Sequence, residues 1–196
     1  MPRYGDQNSR IFTMKSKDLI NWGDIKILKV KGDDISIQDM GRMIDPYIIE
    51  DKDATGKYWC FYKQNGVSLS YSYDMENWTY YGNTSSGENV CVIVDGNEYV
   101  LFHSPQNGIG IKRSNYLINW KNDGKKLIFG QKEWEWAKGR ISAGAVIKVD
   151  NSDFPYIMFY HGSGPLTEDE GDFDKNASIG IAWSKDLKQW QWPDKN

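Results

Sequence analysis

Only two histidines, His103 and His161, and two cysteines, Cys60 and Cys91, occur among the 196 residues. Those counts exclude a His-rich metal centre and a disulfide framework, and neither thiol sits in a zinc-type spacing. Chemistry in this chain therefore falls to carboxylates, to cationic side chains and to rings. The run Asp172-Phe-Asp174-Lys-Asn176 alternates oxygen-bearing side chains as a calcium loop does. It lacks the inner glycine and the closing glutamate of an EF-hand, so a solvated loop is expected, with calcium as the alternative and no other cofactor. Glu133 and Glu135 alternate with Trp134 and Trp136, which sets carboxylates beside flat apolar faces.

The rest of the composition bounds what these groups can serve. Apolar residues make up 39% and charged residues 26%, and mean hydropathy is -0.67. That reads as one soluble globular domain. Apolar stretches such as Val90-Cys-Val-Ile-Val94 fall far short of the ~20 residues that span a bilayer, so no membrane partner is expected. Met1-Pro-Arg-Tyr-Gly opens without the apolar core of a signal peptide. Net charge is -3 with no large basic block, which argues against a nucleic-acid partner. Aromatics reach 14%, with 9 Trp and 12 Tyr. Such rings favour strands, and most of them read as structural.

The elements that must position these groups are repeated. Ser16-Lys-Asp-Leu-Ile-Asn-Trp22 returns as Ser72-Tyr-Asp-Met-Glu-Asn-Trp78, as Ser114-Asn-Tyr-Leu-Ile-Asn-Trp120 and as Ser184-Lys-Asp-Leu-Lys-Gln-Trp190. The Ser-x-Asp core predicts a turn, because short polar side chains hydrogen-bond the neighbouring backbone. Each copy follows a strand-like segment with period-two alternation, clearest in Val67/Leu69/Tyr71 and Ile109/Ile111. Two more strands precede three of the copies, one pair joined by the tight turn Asp95-Gly96, a strong hairpin signal. Each full unit is thus four antiparallel strands in a meander, and the repeat predicts an all-β propeller.

The count does not close a ring. Full units fall at 40–84, 87–130 and 139–193, and residues 1–30 supply half a unit, all within one partial domain spanning 1–196. Three and a half blades imply either a piece of a longer protein or completion by a second chain, and the piece is the expectation. An open ring leaves edge strands and an apolar sheet face uncovered.

The Ser-x-Asp-Leu-x-x-Trp hairpin, spaced blade by blade from about Ser9 to Pro193, resembles the five-bladed β-propeller glycoside hydrolases. These are arabinanases and xylosidases, invertase-like fructosidases and related phosphorylases. The resemblance implies a carboxylate triad at one mouth of the channel, one acid opening the innermost strand of each of the first three blades. Asp45-Pro46 then matches the second-blade aspartate, and Glu88, before Asn89-Val90, matches the third-blade glutamate that acts as general acid. Where fructosidases often read Arg-Asp-Pro, here Met43-Ile44 separates Arg42 from Asp45; Glu88 is followed by Asn89 rather than by Cys or Gly-Pro. The first-blade acid has no counterpart, so the 196 residues are expected to be inactive alone. The implied partner is an oligo- or polysaccharide.

On this reading Arg140, before the inner strand of the third unit, binds substrate hydroxyls or holds a carboxylate ionised. Arg42 is a further substrate contact, and Trp134 or Trp136 stacks on a sugar ring. His103 and His161 end equivalent strands and read either as channel-facing contacts or as buried structural rings. Glu133 and Glu135 are the runner-up acids. Two rival functions share the fold: a non-catalytic carbohydrate-binding propeller, and a phosphorylase using Lys138 and Arg140 as a phosphate site.

Overall fold

A computed structural model describes residues 7–117, 119–150, 152–166 and 176–193. The Asp172–Asp174 part of the calcium-like run lies outside them. The chain divides into two compact units, Met1–Ser85 and Ser86–Asn196. Among the described residues all regular structure is β except a 3-10 turn at Gln131–Glu133. Among the described residues no helix is long and apolar enough to cross a membrane.

The first unit holds a two-stranded sheet of β1 (Phe12–Thr13) and β2 (Lys26–Ile27) and a four-stranded one. The latter runs in order β3 (Ile44–Glu50), β4 (Tyr58–Lys63), β5 (Val67–Ser72) and β6 (Thr79–Thr84), all antiparallel. Ile11, Leu28, Val30, Met40, Met43, Cys60, Tyr62 and Trp78 form its core. Burying aliphatic and aromatic side chains of this size contributes roughly 1.5–3 kcal/mol apiece.

The second unit holds two more four-stranded meanders. One is β7 (Glu88–Asp95), β8 (Glu98–Ser104), β9 (Gly110–Ser114) and β10 (Lys121–Asn122). The other is β11 (Arg140–Lys148), β12 (Tyr156–Ser163), β13 (Ala177–Ser184) and β14 (Trp190–Gln191). These are the predicted propeller blades, three complete and one of two strands. Cys60 and Cys91 form no disulfide and are buried, on strands of different sheets. Burial pushes the Cys60 thiol up to about 12.

The repeated hairpin is fixed locally. Ser16 Oγ accepts from the backbone N–H of Leu19 at 2.8 Å, and Asp18 Oδ1 accepts from Ile20 and Asn21 at 2.9 and 2.8 Å. The same bonds recur at Ser72/Asp74 and Ser184/Asp186. These backbone donors, chiefly that of the residue three further on, hold the three aspartates below the usual carboxylate range. The next residue is left-handed in all four copies, with φ of 60° at Leu19 and Met75, 63° at Leu117 and 61° at Leu187. A bulky residue pays about 1–2 kcal/mol for that conformation, and the serine and aspartate bonds over-determine it. In the third copy Tyr116 stands at the aspartate position, and its own N–H reaches Ser114 Oγ at 3.4 Å.

Candidate functional site

The innermost strand of each four-stranded sheet carries the same bulge. Ile44 pairs with Lys63 and then Tyr47 with Phe61; Glu88 pairs with Ser104 and then Cys91 with Phe102; Ser142 pairs with His161 and then Ala145 with Phe159. Two residues on the inner strand thus oppose one on its partner, which bends the strand and re-aims side chains at its start. The first bulged residue is left-handed at Asp45 (φ 53°) and at Asn89 (φ 54°). Asp45 and Asn89 are therefore register equivalents, and Glu88 stands one residue earlier, at the position of Ile44 and Ser142. The two carboxylates agree to within one residue of blade register. Arg42 and Arg140 are also equivalents, each two residues before the last pair ahead of the bulge.

In the second unit the predicted residues converge. Arg140 Nη2 donates to Glu88 Oε1 at 3.1 Å, although the two are 52 residues apart. The guanidinium side chain is 15% exposed and the carboxylate 38%, so Glu88 remains open to a ligand while Arg140 is held beneath it. β11 is tied to β8 by Ser104 Oγ, which accepts from Ala143 N–H at 2.8 Å, and to β7 by Cys91 Sγ, which accepts from Val146 N–H at 3.2 Å. His161 Nδ1 lies 3.2 Å from Ser142 Oγ. Burial lowers the His161 pKa, and the charge of Arg140 adds to that.

His103 sits in the wall behind Glu88. Its Nδ1 accepts from Gly87 N–H at 3.0 Å, which leaves the proton of the neutral ring on Nε2. It faces Gly110, where a Cβ would lie 2.5 Å from Nε2. The residue is buried, and burial, with a smaller contribution from Lys112, pulls its pKa from 6.5 down to about 4. The unfolded chain therefore takes up a proton that the folded ring refuses until about pH 4. Unfolding free energy is expected to fall as pH drops from about 6.5 to about 4, with this contribution constant above 6.5. His103→Gln, which keeps an acceptor for Gly87, should remove that part of the slope in urea unfolding across a pH series; an unchanged slope would contradict the assignment.

Trp134 and Trp136 stack at 5.2 Å and 24°, and both lie against Tyr160, at 6.4 and 6.2 Å. Trp134 is buried in this stack while Trp136 is half-buried. Together with Glu135, Tyr160, Ile179 to Ile181 and Pro193 they line a hollow of about 540 Å³. Glu135 pairs with Lys138 at 3.2 Å, and Glu133 belongs to the 3-10 turn. In the first unit, Arg42 takes a bond from Gln64 Nε2 on its carbonyl at 3.0 Å, and its buried Nε has no partner among the described residues. No cluster of His, Cys, Asp and Glu placed to hold a metal occurs among the described residues.

Several members of the site carry no signal in the sequence. Asn107 exchanges two hydrogen bonds with Gln131, at 3.0 and 3.1 Å, and accepts from Ile141 N–H at 2.9 Å. It clamps the loop before β11 and so helps place Arg140. Ser86 and Ser163 bury hydroxyls that have no partner in the described structure, and Ser163 pairs directly with Arg140 across the strands. The one available hint is register, since Ser86 stands where Arg42 and Arg140 stand in the other sheets.

Three four-stranded antiparallel meanders, each bulged at the start of its inner strand, are built as propeller blades are. No family model matches the sequence, and no curated protein matches it. Solved structures do. A glycosyl hydrolase from Bacteroides ovatus superposes with a TM-score of 0.66 at 15% identity, over 93% of this chain and 60% of its own. A structure from the GH130 family of mannoside phosphorylases, which contains glycoside hydrolases that target β-1,2 mannosidic linkages in Candida mannan, gives 0.63 at 15% over 93% and 60%. An exo-1,5-α-L-arabinanase from a bovine ruminal metagenomic library gives 0.61 at 14% over 93% and 67%. At such identities what is shared is the fold, and the chain spans about three fifths of the first two structures.

Proposed function

We propose that this chain is part of a glycoside hydrolase that cleaves O-glycosidic bonds, with Glu88 as general acid and Asp45 as a second carboxylate of the site. The observation that carries the reading is the Glu88–Arg140 pair at 3.1 Å. It sets a ligand-accessible carboxyl on a rigid, bulged strand start in a fold shared with glycosidases. Glycoside cleavage needs one carboxyl to protonate the leaving oxygen and another to activate water or attack the sugar. As the acid, Glu88 takes up a proton from solvent, passes it to the leaving oxygen and returns to a carboxylate beside Arg140, which stabilises the charge that forms. Asp45, left-handed at its bulge, orients the acid or stabilises the transition state. The base or nucleophile comes from outside these 196 residues, which alone bind oligosaccharide without cleaving it. Arg42, Arg140, His161 and Trp136 supply substrate contacts; Trp134 and His103 support them from behind.

The test is turnover of a panel of aryl glycosides and oligosaccharides by the complete gene product, with and without inorganic phosphate. Release of free sugar independent of phosphate is expected. Turnover only with phosphate would identify the phosphorylase, and binding without turnover the carbohydrate-binding propeller.

A further inference from the structure

One buried hydroxyl serves both strands that carry the Glu88–Arg140 pair. Ser104 ends β8, and Glu88 pairs with it just ahead of the bulge in β7. Its Oγ accepts from Asn89 Nδ2 at 3.2 Å and from the backbone N–H of Ala143 at 2.8 Å. Asn89 opens the bulge of β7, directly after Glu88. Ala143 opens the corresponding bulge of β11, the strand that Arg140 begins. Ser104 is 1% exposed and Ala143 4%, so the bond between them forms out of water. A serine oxygen offers two lone pairs, and these two donors use both.

Other bonds hold β11 on either side of this point. Asn107 Oδ1 accepts from Ile141 N–H, and Gly108 N–H donates to the Ile141 carbonyl at 2.8 Å. Further along, Cys91 Sγ takes the Val146 N–H. Among these groups the Ser104 hydroxyl is the one that bonds both bulges. The repeat does not call for a serine there, since Lys63 and His161 stand at that register in the other two sheets.

We infer that Ser104 is a positioning residue, whose hydroxyl sets how far Arg140 stands from Glu88. Its catalytic consequence rests on the reading of Glu88 as the general acid. Without the hydroxyl, the Ala143 N–H loses its acceptor inside the protein, a cost that a small movement of β11 relieves. The tolerance is narrow. The Arg140 Nη2–Glu88 Oε1 contact is 3.1 Å, and a further ~0.5 Å takes a side-chain hydrogen bond past its limit of about 3.6 Å.

The test uses the complete gene product. In a crystal structure of Ser104→Ala, the Arg140–Glu88 distance is expected to exceed about 3.6 Å. On an unactivated oligosaccharide kcat should fall by up to about 10²-fold, the effect of displacing a reacting group by about 1 Å, with KM little changed. An aryl glycoside with a good leaving group should lose far less, whereas a loss of folded protein alone would lower both rates alike. Asn89→Gly suits the left-handed backbone at φ 54° and frees the other bulge from the same hydroxyl. It should give the same split between substrates, and it decides the matter if Ser104→Ala fails to fold. A contact that stays at 3.1 Å in Ser104→Ala, or equal losses on two substrates that Glu88→Gln separates, would overturn the inference. If Glu88→Gln keeps full activity, the acid role falls, and an opened contact in Ser104→Ala still upholds placement by Ser104.

Discussion

Glu88→Gln is expected to slow cleavage of an unactivated oligosaccharide by roughly 10²–10⁴-fold, the contribution of a positioned acid. Glutamine keeps the size of the side chain and an oxygen that can accept from Arg140 Nη2, so the 3.1 Å contact survives as a hydrogen bond to a neutral group. What is lost is the transferable proton. An aryl glycoside with a good leaving group needs little protonation and should lose far less. The diagnostic quantity is therefore the difference between the two substrates, measured as kcat/KM. Equal losses on both would move Glu88 from the acid role to that of base or nucleophile. No loss on either would remove it from the chemistry and favour the carbohydrate-binding propeller.

Gly87→Ala is expected to be the most damaging small substitution near the site. A Cβ there would lie 1.7 Å from the carbonyl oxygen of Ser104, 2.4 Å from its carbon and 2.9 Å from Pro105 Cα. All three are main-chain atoms, which cannot swing aside as a side chain would. Relief requires giving up the Glu88–Ser104 pairing and the Gly87–His103 bond, which are the contacts that fix Glu88. Overpacking of this kind costs about 3 kcal/mol, or roughly 6–12 °C of Tm for a chain of this size. Gly82→Ala, where a Cβ meets nothing within 4 Å, should be neutral in the same thermal unfolding experiment. A Gly87→Ala protein as stable as Gly82→Ala would show that the start of β7 is not held as described.

Much of the fold was legible because the repeat is built from local chemistry. Ser-x-Asp turns draw their hydrogen bonds from residues two and three positions on, so residue type and spacing alone announce them. The aspartate missing from the third copy did not hide it, since Ser114, Leu117 and Trp120 kept the pattern. The site was legible only in outline. Asp45 and Glu88 were singled out by the resemblance, and Arg140 by the blade register that strands repeat. The partner of each was not visible. His103 and His161 end equivalent strands, yet one is closed into a wall by Gly87 and Gly110 while the other shares Ser142 beside Arg140.

The sequence by itself determined the all-β class, the four-stranded unit and the position of every hairpin. Each follows from contacts between near neighbours in the chain, or from alternation along one strand. Only the tertiary structure decided that Arg140 reaches Glu88 and that His103 is buried and neutral. Those outcomes depend on where one strand lies against another. The bulge that sets this register is occupied by Asp45, Asn89 and Ala143 in the three sheets. With no shared residue type at the offset, a one-residue shift leaves no mark in the sequence, yet it decides which way each side chain at the strand start points.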